Sequence, residues 1–316
     1  MRYGIGYKGS KSRIAKEIID ILPSGDRFID LFGGGGAMSH CAALSGKYKK
    51  VIYSDSDTSI SLLMKDIFAG KYYNCCDLFE WVSREKFFAE KDRNPIIRWM
   101  WSFSNNGKDY MYSKSLEPQK EAVHKAIVNR EYNNLFLEIT SGVIPFNDSY
   151  NYDVYSKIEM IRKRKAEWSS FVKKFLINSF EHYRSRSLER LINIRNISQI
   201  EAITRIEAIT RDYKTYMYGG GEVCRFNDIV YCDPPYKQTN CGSYSGFNSN
   251  EFWQWARGIP CYISEYSAPN DFECILEKPV SILSTADGNG RKAIEKLFKS
   301  PACNNTIKQT KQLSLF

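Results

Sequence analysis

The run Arg27-Phe28-Ile29-Asp30-Leu31-Phe32 leads directly into Gly33-Gly34-Gly35-Gly36, after which Ala37 to Leu44 resumes a helical composition. An apolar run that stops at glycine reads as a buried strand. Glycines between a strand and a helix let a ligand approach the backbone where the helix N-terminus offers free N–H donors. A second strand, Lys50 to Ser54, ends at Asp55. That acid follows Gly33 by close to the roughly twenty residues that separate a glycine loop from the carboxylate that binds ribose hydroxyls in dinucleotide-type folds. Strand, glycine turn, helix and strand form the first half of a nucleotide-binding α/β unit. A ligand-free tight turn and a solvated strand end are the plainer readings of these signals. Taken together, they favour a cofactor that contains adenosine, with NAD and S-adenosylmethionine fitting equally well.

Upstream, Ser12 to Leu22 spaces Ile14, Ile18, Ile19 and Leu22 as a helix, and Pro23-Ser24-Gly25 ends it. Downstream, the texture changes from about Thr58 to Ser187 into helix-prone, charged and aromatic segments such as Phe79 to Lys91 and Glu117 to Val128. Strand signals return at Asp228 to Cys232, Cys261 to Glu265 and Val280 to Leu283. The expected organisation is therefore an α/β domain over residues 1–57 and 188–316, split by an inserted domain over residues 58–187. The tail from Asn304 reads as loose. Leu188, Leu191, Ile194, Ile197, Ile200, Ile203, Ile206 and Ile209 recur at every third position, and Ile200 to Arg205 is repeated letter for letter as Ile206 to Arg211. A period of three drifts around an α-helix, so the segment is expected to be a locally duplicated helix or spacer, with a β-solenoid as the alternative.

Composition bounds the function. The 316 residues, 43% hydrophobic, can bury a large core, and 45 Lys+Arg against 36 Asp+Glu give a formal +9, which favours a polyanionic partner. The nine cysteines show no CxxC spacing, so reduced thiols are expected and no metal is implied. Met1 to Lys11 lacks the apolar core of a signal peptide, and no apolar run nears the about twenty residues of a membrane span. A cytoplasmic protein with no membrane partner, favoured as a monomer, is the expectation.

The chemistry is decided by Asp233-Pro234-Pro235-Tyr236, placed just after the strand Ile229 to Cys232. A carboxylate at a strand's carboxyl end, followed by two prolines that fix φ and offer carbonyls without N–H groups, makes a rigid row of acceptors beside an aromatic ring. Such a row suits a planar amine. Asp233 and the Pro234 carbonyl can accept its two hydrogens while Tyr236 stacks on the heterocycle, leaving the nitrogen lone pair aimed at an electrophilic methyl group. A turn capped by tyrosine is the plainer reading, but this turn lies in a chain with a cofactor loop and a ribose acid.

Together, Gly6-Tyr7-Lys8-Gly9-Ser10-Lys11, Phe28 to Gly36, Tyr53-Ser54-Asp55 and Asp233 to Tyr236 resemble the Dam-type, alpha-group N6-adenine DNA methyltransferases, in the order that family uses. Ile263 to Pro269, the Asp212-Tyr213 pair and Trp99 to Tyr112 further resemble segments of phage-like members. The resemblance covers Tyr3 to about Phe298. It implies a Rossmann-like S-adenosylmethionine-dependent methyltransferase sheet with a mainly helical, inserted target-recognition domain, and transfer of a methyl group to N6 of an adenine flipped from double-stranded DNA. It also implies that Tyr7 and Lys11 contact the methionine end of the cofactor, with Lys11 pairing to its carboxylate. Asp30, Phe32 and Gly33 to Gly36 would line the cofactor, Asp55 would bind its ribose, and Asp212 and Tyr213 would border its adenine. Asp233 would serve both cofactor and target. The glycine-only loop departs from relatives that carry a small non-glycine residue there, as does the period-three segment.

Within the insertion, Asn105, Asn106 and Lys108 are the expected base-reading residues, with Tyr110 supporting the loop, because amide and ammonium groups match base edges. Trp99, Trp101 and Phe103 are expected in the core. Lys157, Arg162, Lys163, Arg164, Lys165, Lys173 and Lys174 form a basic run suited to phosphates or to a solvated helix face. The rival readings are a methyltransferase acting on RNA or a protein amide, an NAD-dependent dehydrogenase, which leaves Asp233 to Tyr236 without a role, and a catalytically idle DNA-binding module.

Overall fold

The structure, a computed structural model, describes residues 2–147, 157–216, 227–236, 247–282 and 291–303. The chain forms two compact units. One comprises Met1–Gly4, Gly9–Lys65 and Glu201–Phe316, and the other Ile5–Lys8 and Asp66–Ile200.

The first unit is built on strands β1 (Gly25–Asp30), β2 (Tyr48–Asp55), β3 (Ile206–Thr210), β4 (Asp228–Cys232), β5 (Cys261–Glu265), β6 (Glu273–Ile282) and β7 (Arg291–Lys299). Their order is β3-β2-β1-β4-β5-β7-β6, with β1 to β5 parallel and β7 antiparallel between β5 and β6. This is the Rossmann-like sheet that the glycine loop anticipated. The centre is covered on both faces, which is why β4 is apolar after its first residue and is buried at all its positions. Asp228 opens β4 and is joined to Arg27 of β1, whose Nε donates to Oδ1 at 2.9 Å. The strand order reverses between β1 and β4, and a ligand of an open α/β sheet binds outside the carboxyl ends of the strands at such a point. Asp30 and Asp55 terminate β1 and β2, and Asp233 follows β4.

Helices α1 (Ala15–Ile21) and α2 (Ala37–Ser45) follow the expected periodicity within a few residues. Glycine is required at two positions of the loop before α2. A Cβ on Gly33 would lie 2.3 Å from the Tyr53 ring, and Gly36 opens α2 in the left-handed region at φ 70°.

The period-three segment is not one element. Arg186–Ser198 is an α-helix, Glu201–Arg205 a 3-10 turn and Ile206–Thr210 strand β3. The two copies of one hexapeptide thus adopt different structures, which corrects the reading of a duplicated helix or spacer. The first copy has the three-residue period of a 3-10 turn. The second pairs with β2 from Val51↔Ile206 to Asp55↔Thr210, and cross-strand pairing overrides its local preference. The sheet's far edge also differs from expectation: the strand signal at Val280 to Leu283 is the end of a longer β6, Leu283 lies outside the described residues, and β7 was not anticipated. The tail from Asn304 likewise lies outside the described residues.

The second unit is mainly helical. Its helices begin at side-chain caps where the sequence supplies them: Ser83 accepts from Lys86 N, and Asn94 accepts from Ile96 N with Pro95 at the first helical position. Phe79, Phe87, Trp99, Trp101, Phe136 and Trp168 are buried in it. Among the described residues, no helix is long and apolar enough to cross a membrane.

Candidate active site

Each expected cofactor residue of the first unit sits where sheet geometry sends it, and several already have work to do. Asp30 is buried, its Oδ2 accepting from Ser39 N at 3.1 Å and from Ser39 Oγ at 2.7 Å, so it holds the first turn of α2. Burial pushes its carboxyl up to about 7, against the pull of the Ser39 hydrogen bonds. Asp55 ties down the glycine loop: Oδ2 accepts from Gly34 N and Oδ1 from Asp57 N, both at 2.8 Å. Burial raises it to about 6, with the backbone donors opposing. A carboxylate has about four acceptor sites, so these bonds leave Asp55 capacity for a hydroxyl. Phe32 lies 5.3 Å from Tyr213 between ring centroids, and both pack against Phe252 of helix Ser249–Arg257, forming an aromatic wall beside the loop. Asp212 caps the short turn that presents Tyr213 by accepting from Lys214 N at 2.8 Å.

A second cluster forms at the end of β4. Lys11 is buried, and its Nζ lies 2.8 Å from Asp233 Oδ1 and 3.9 Å from Glu295 Oε1. It also stands 4.5 Å over the Tyr236 ring. The Tyr236 hydroxyl donates to Glu295 Oε2 at 2.7 Å, and Tyr266 meets the same ring edge-on at 4.7 Å. Burial pushes the Asp233 carboxyl up to about 6, the nearby ammonium of Lys11 opposing and Glu295 adding to the rise. Burial alone would lower the Lys11 ammonium, but Asp233 and Glu295 hold it above its ordinary value. The group of one cation and two carboxylates is therefore net negative and turned toward the acceptor row of Asp233, Pro234 and Pro235.

Lys11, the residue expected to pair with the methionine carboxylate of the cofactor, has its ammonium beside Asp233 and near Glu295. Glu295 escaped sequence analysis because β7 carries charges at neighbouring positions, Lys292, Glu295, Lys296 and Lys299, which mask a strand signal. The alternation of Ala293, Glu295 and Leu297 on one face of the strand was the available clue.

In the second unit, Tyr7 packs on Trp99 with ring centroids 5.2 Å apart. Ser102 and Tyr110 bridge the ends of the expected recognition loop. Ser104 and Asn105 have left-handed φ of 48° and 56°, uncommon for residues with a side chain. Asn105 Nδ2 donates to Trp99 O at 3.2 Å. Asn106 Oδ1 accepts from Lys108 N at 2.9 Å and Asp109 N at 3.0 Å, while its Nδ2 donates to Asp109 at 2.8 Å. Tyr110 is buried, its hydroxyl donating to Val82 O at 2.7 Å. Lys108 stands at the exposed tip. Trp99 and Trp101 are in the core, but Phe103 is 57% exposed, a correction to its expected burial: the left-handed turn swings it outward. The basic run is also not one phosphate track. Arg164 is buried and donates to Ile127 O at 3.0 Å and Tyr132 Oη at 2.6 Å, Arg162 pairs with Glu159 at 2.9 Å, and Lys165 lies 3.5 Å from Glu189.

Among the described residues, no group of His, Cys, Asp and Glu is arranged to hold a metal ion. A family model for D12 class N6 adenine-specific DNA methyltransferases matches residues 7–257. No curated protein matches the chain.

Proposed function

The chain belongs to the D12 class N6 adenine-specific DNA methyltransferase family, and on that premise we propose that Asp233 is the acceptor for the target amine. The protein is an enzyme that uses S-adenosylmethionine to methylate adenine in DNA. This sets aside the dehydrogenase, the idle module, and a substrate of RNA or protein amide. The order of its motifs supports placing it in the Dam-type alpha group.

The residues of the first unit fit the cofactor. Asp55 has acceptor capacity for ribose hydroxyls, and Phe32 and Tyr213 offer ring faces for a purine beside the loop Gly33 to Gly36. When bound, S-adenosylmethionine supplies a methyl group already activated by its sulfonium.

The protein's own contribution is alignment and charge. Asp233 and the Pro234 carbonyl accept the two hydrogens of the adenine amine, fixing the nitrogen's orientation. As the N6–methyl bond forms, positive charge grows on that nitrogen, and the net negative group of Asp233, Glu295 and Lys11 stabilises it. The surplus amine proton then passes to the Asp233 carboxylate. Tyr236 supplies the ring on which the adenine stacks, and the cost of drawing the base from the duplex, a few kcal/mol, is offset by that stacking and the edge hydrogen bonds. In the second unit, Lys108 meets the DNA at the loop tip, while Asn105, Asn106 and Tyr110 fix the loop's shape.

The observation that carries this reading is Asp233, half-buried at the switch-point end of β4 with an ammonium at 2.8 Å. The test is to express the protein in a host without adenine methylation and sequence its DNA for modified adenines. N6-methyladenine at a defined site with the wild type, and none with Asp233→Ala, is expected; modification that persists in the variant refutes the assignment.

A further inference from the structure

Glu295 lies beyond the span that matches the family model, in strand β7. Lys296, next in the chain, pairs at 2.6 Å with Glu277 of β6. Glu295 points to the same side as Leu297, which is fully buried, and its side chain is only 13% exposed. A carboxylate there costs desolvation that packing does not repay. Both of its oxygens face the cluster at β4: Oε2 accepts the Tyr236 hydroxyl at 2.7 Å, and Oε1 is 3.9 Å from Lys11 Nζ.

We propose that Glu295 is a positioning residue for methyl transfer, one that fixes the Tyr236 ring through its hydroxyl and receives the Lys11 ammonium when a target amine engages Asp233. The proposal rests on Asp233 being the amine's acceptor. Without a target, Asp233 carries the ammonium at 2.8 Å. An arriving amine competes with the ammonium for the same carboxylate, and a second carboxylate nearby keeps the buried ammonium from losing its counter-ion, a costly state. A shift of about 1 Å, from 3.9 Å to the 2.8 Å of a direct pair, brings Lys11 onto Glu295. The same carboxylate holds the tyrosine ring by its far end, so exchange of counter-ions leaves the stacking face in place. The group keeps its one excess negative charge throughout, which the nitrogen's developing positive charge requires.

Asp233 is influenced by Lys11, Asp30, Tyr231, Tyr236, Tyr266 and Glu295. Glu295 raises its carboxyl, so removing that charge favours the Asp233 anion and moves the acid limb of the reaction to lower pH.

The experiment is single-turnover methylation of unmethylated plasmid DNA with tritiated S-adenosylmethionine between pH 5 and 8. It uses the wild type, Glu295→Gln, Glu295→Asp, Lys296→Ala and Asp233→Ala, with cofactor affinity measured separately. The isosteric Gln keeps volume and an acceptor for the tyrosine but removes the charge. Transfer by Glu295→Gln is expected to slow on the order of ten- to a hundred-fold, as for loss of a hydrogen bond to a charged group. Its acid limb should move down and cofactor affinity should stay within a few-fold. Glu295→Asp should recover part of the rate, and Lys296→Ala should match the wild type. A wild-type rate in Glu295→Gln, or a slower rate with an unmoved limb, overturns the proposal while leaving Asp233 in place. An active Asp233→Ala removes the premise, and the proposal falls with it.

Discussion

At the carboxyl end of β4, the polar groups of Lys11, Asp233, Tyr236 and Glu295 are held against one another inside the protein. In the turn from Ser102 to Tyr110, by contrast, the amides of Asn105 and Asn106 bond their own backbone at the surface. The first arrangement buries charge at a cost and keeps it net negative, which nothing in packing requires and which suits a reaction that builds positive charge. The second holds a turn in shape with bonds that short polar side chains form in many surface loops. A cluster that costs free energy to bury points to chemistry more strongly than a cluster that stabilises its own loop.

The contrast can be broken by mutation. Asp233→Ala should have the largest effect, lowering single-turnover methyl transfer on the order of a thousand-fold, as for loss of a principal electrostatic contact in a transition state. Cofactor affinity should stay within a few-fold, since the lost contact belongs to the amine. Lys11→Met removes one partner of a buried pair and should lower unfolding stability by about 3 kcal/mol, read by denaturant titration. Because Lys11 holds the Asp233 carboxyl down, its loss should also move the acid limb of transfer to higher pH, opposite in sign to Glu295→Gln.

Smaller effects sharpen the comparison. Tyr236→Ala should slow transfer by the roughly 1–3 kcal/mol of a stacked base. Tyr236→Phe keeps the ring but frees it from Glu295, so it should lose a smaller part of the rate; equal losses in the two variants would mean that the hydroxyl outweighs the stack. In the turn, Lys108→Ala should relax preference at one base position by about 1–3 kcal/mol, read from methylation of a library of variant duplexes. An unchanged preference with a weaker salt dependence would instead make Lys108 a phosphate contact. Asn106→Ala should loosen the turn with no position-specific change.

The parallel half of the sheet was legible because glycine loop, buried strand and terminal acid are local signals: Gly33 to Gly36, Asp55 and Asp233 all stand at the strand ends that their spacing implied. What was not legible depended on distant partners. The hexapeptide Ile200 to Arg205 and its copy Ile206 to Arg211 have one sequence and two structures, decided by which of them reaches β2. The β7 strand is hidden by its charges, and with it Glu295, whose role exists only because the antiparallel strand brings it to Lys11 and Tyr236. Arg164 departs from the basic run around it for the same reason, since its partners come from elsewhere in the chain.

The central claim, that the half-buried carboxylate of Asp233 accepts the target amine, is tested most directly by the pH dependence of single-turnover methyl transfer at saturating cofactor. Burial raises Asp233 to about 6, so its anion, and with it the rate, is present above that pH and lost as pH falls through it. Asp30→Asn, measured alongside, separates this limb from the raised carboxyl that holds α2. The expected result is a rate that is level near neutrality and falls tenfold per unit below about pH 6 in both wild type and Asp30→Asn. A rate that stays level down to pH 5 would contradict the account.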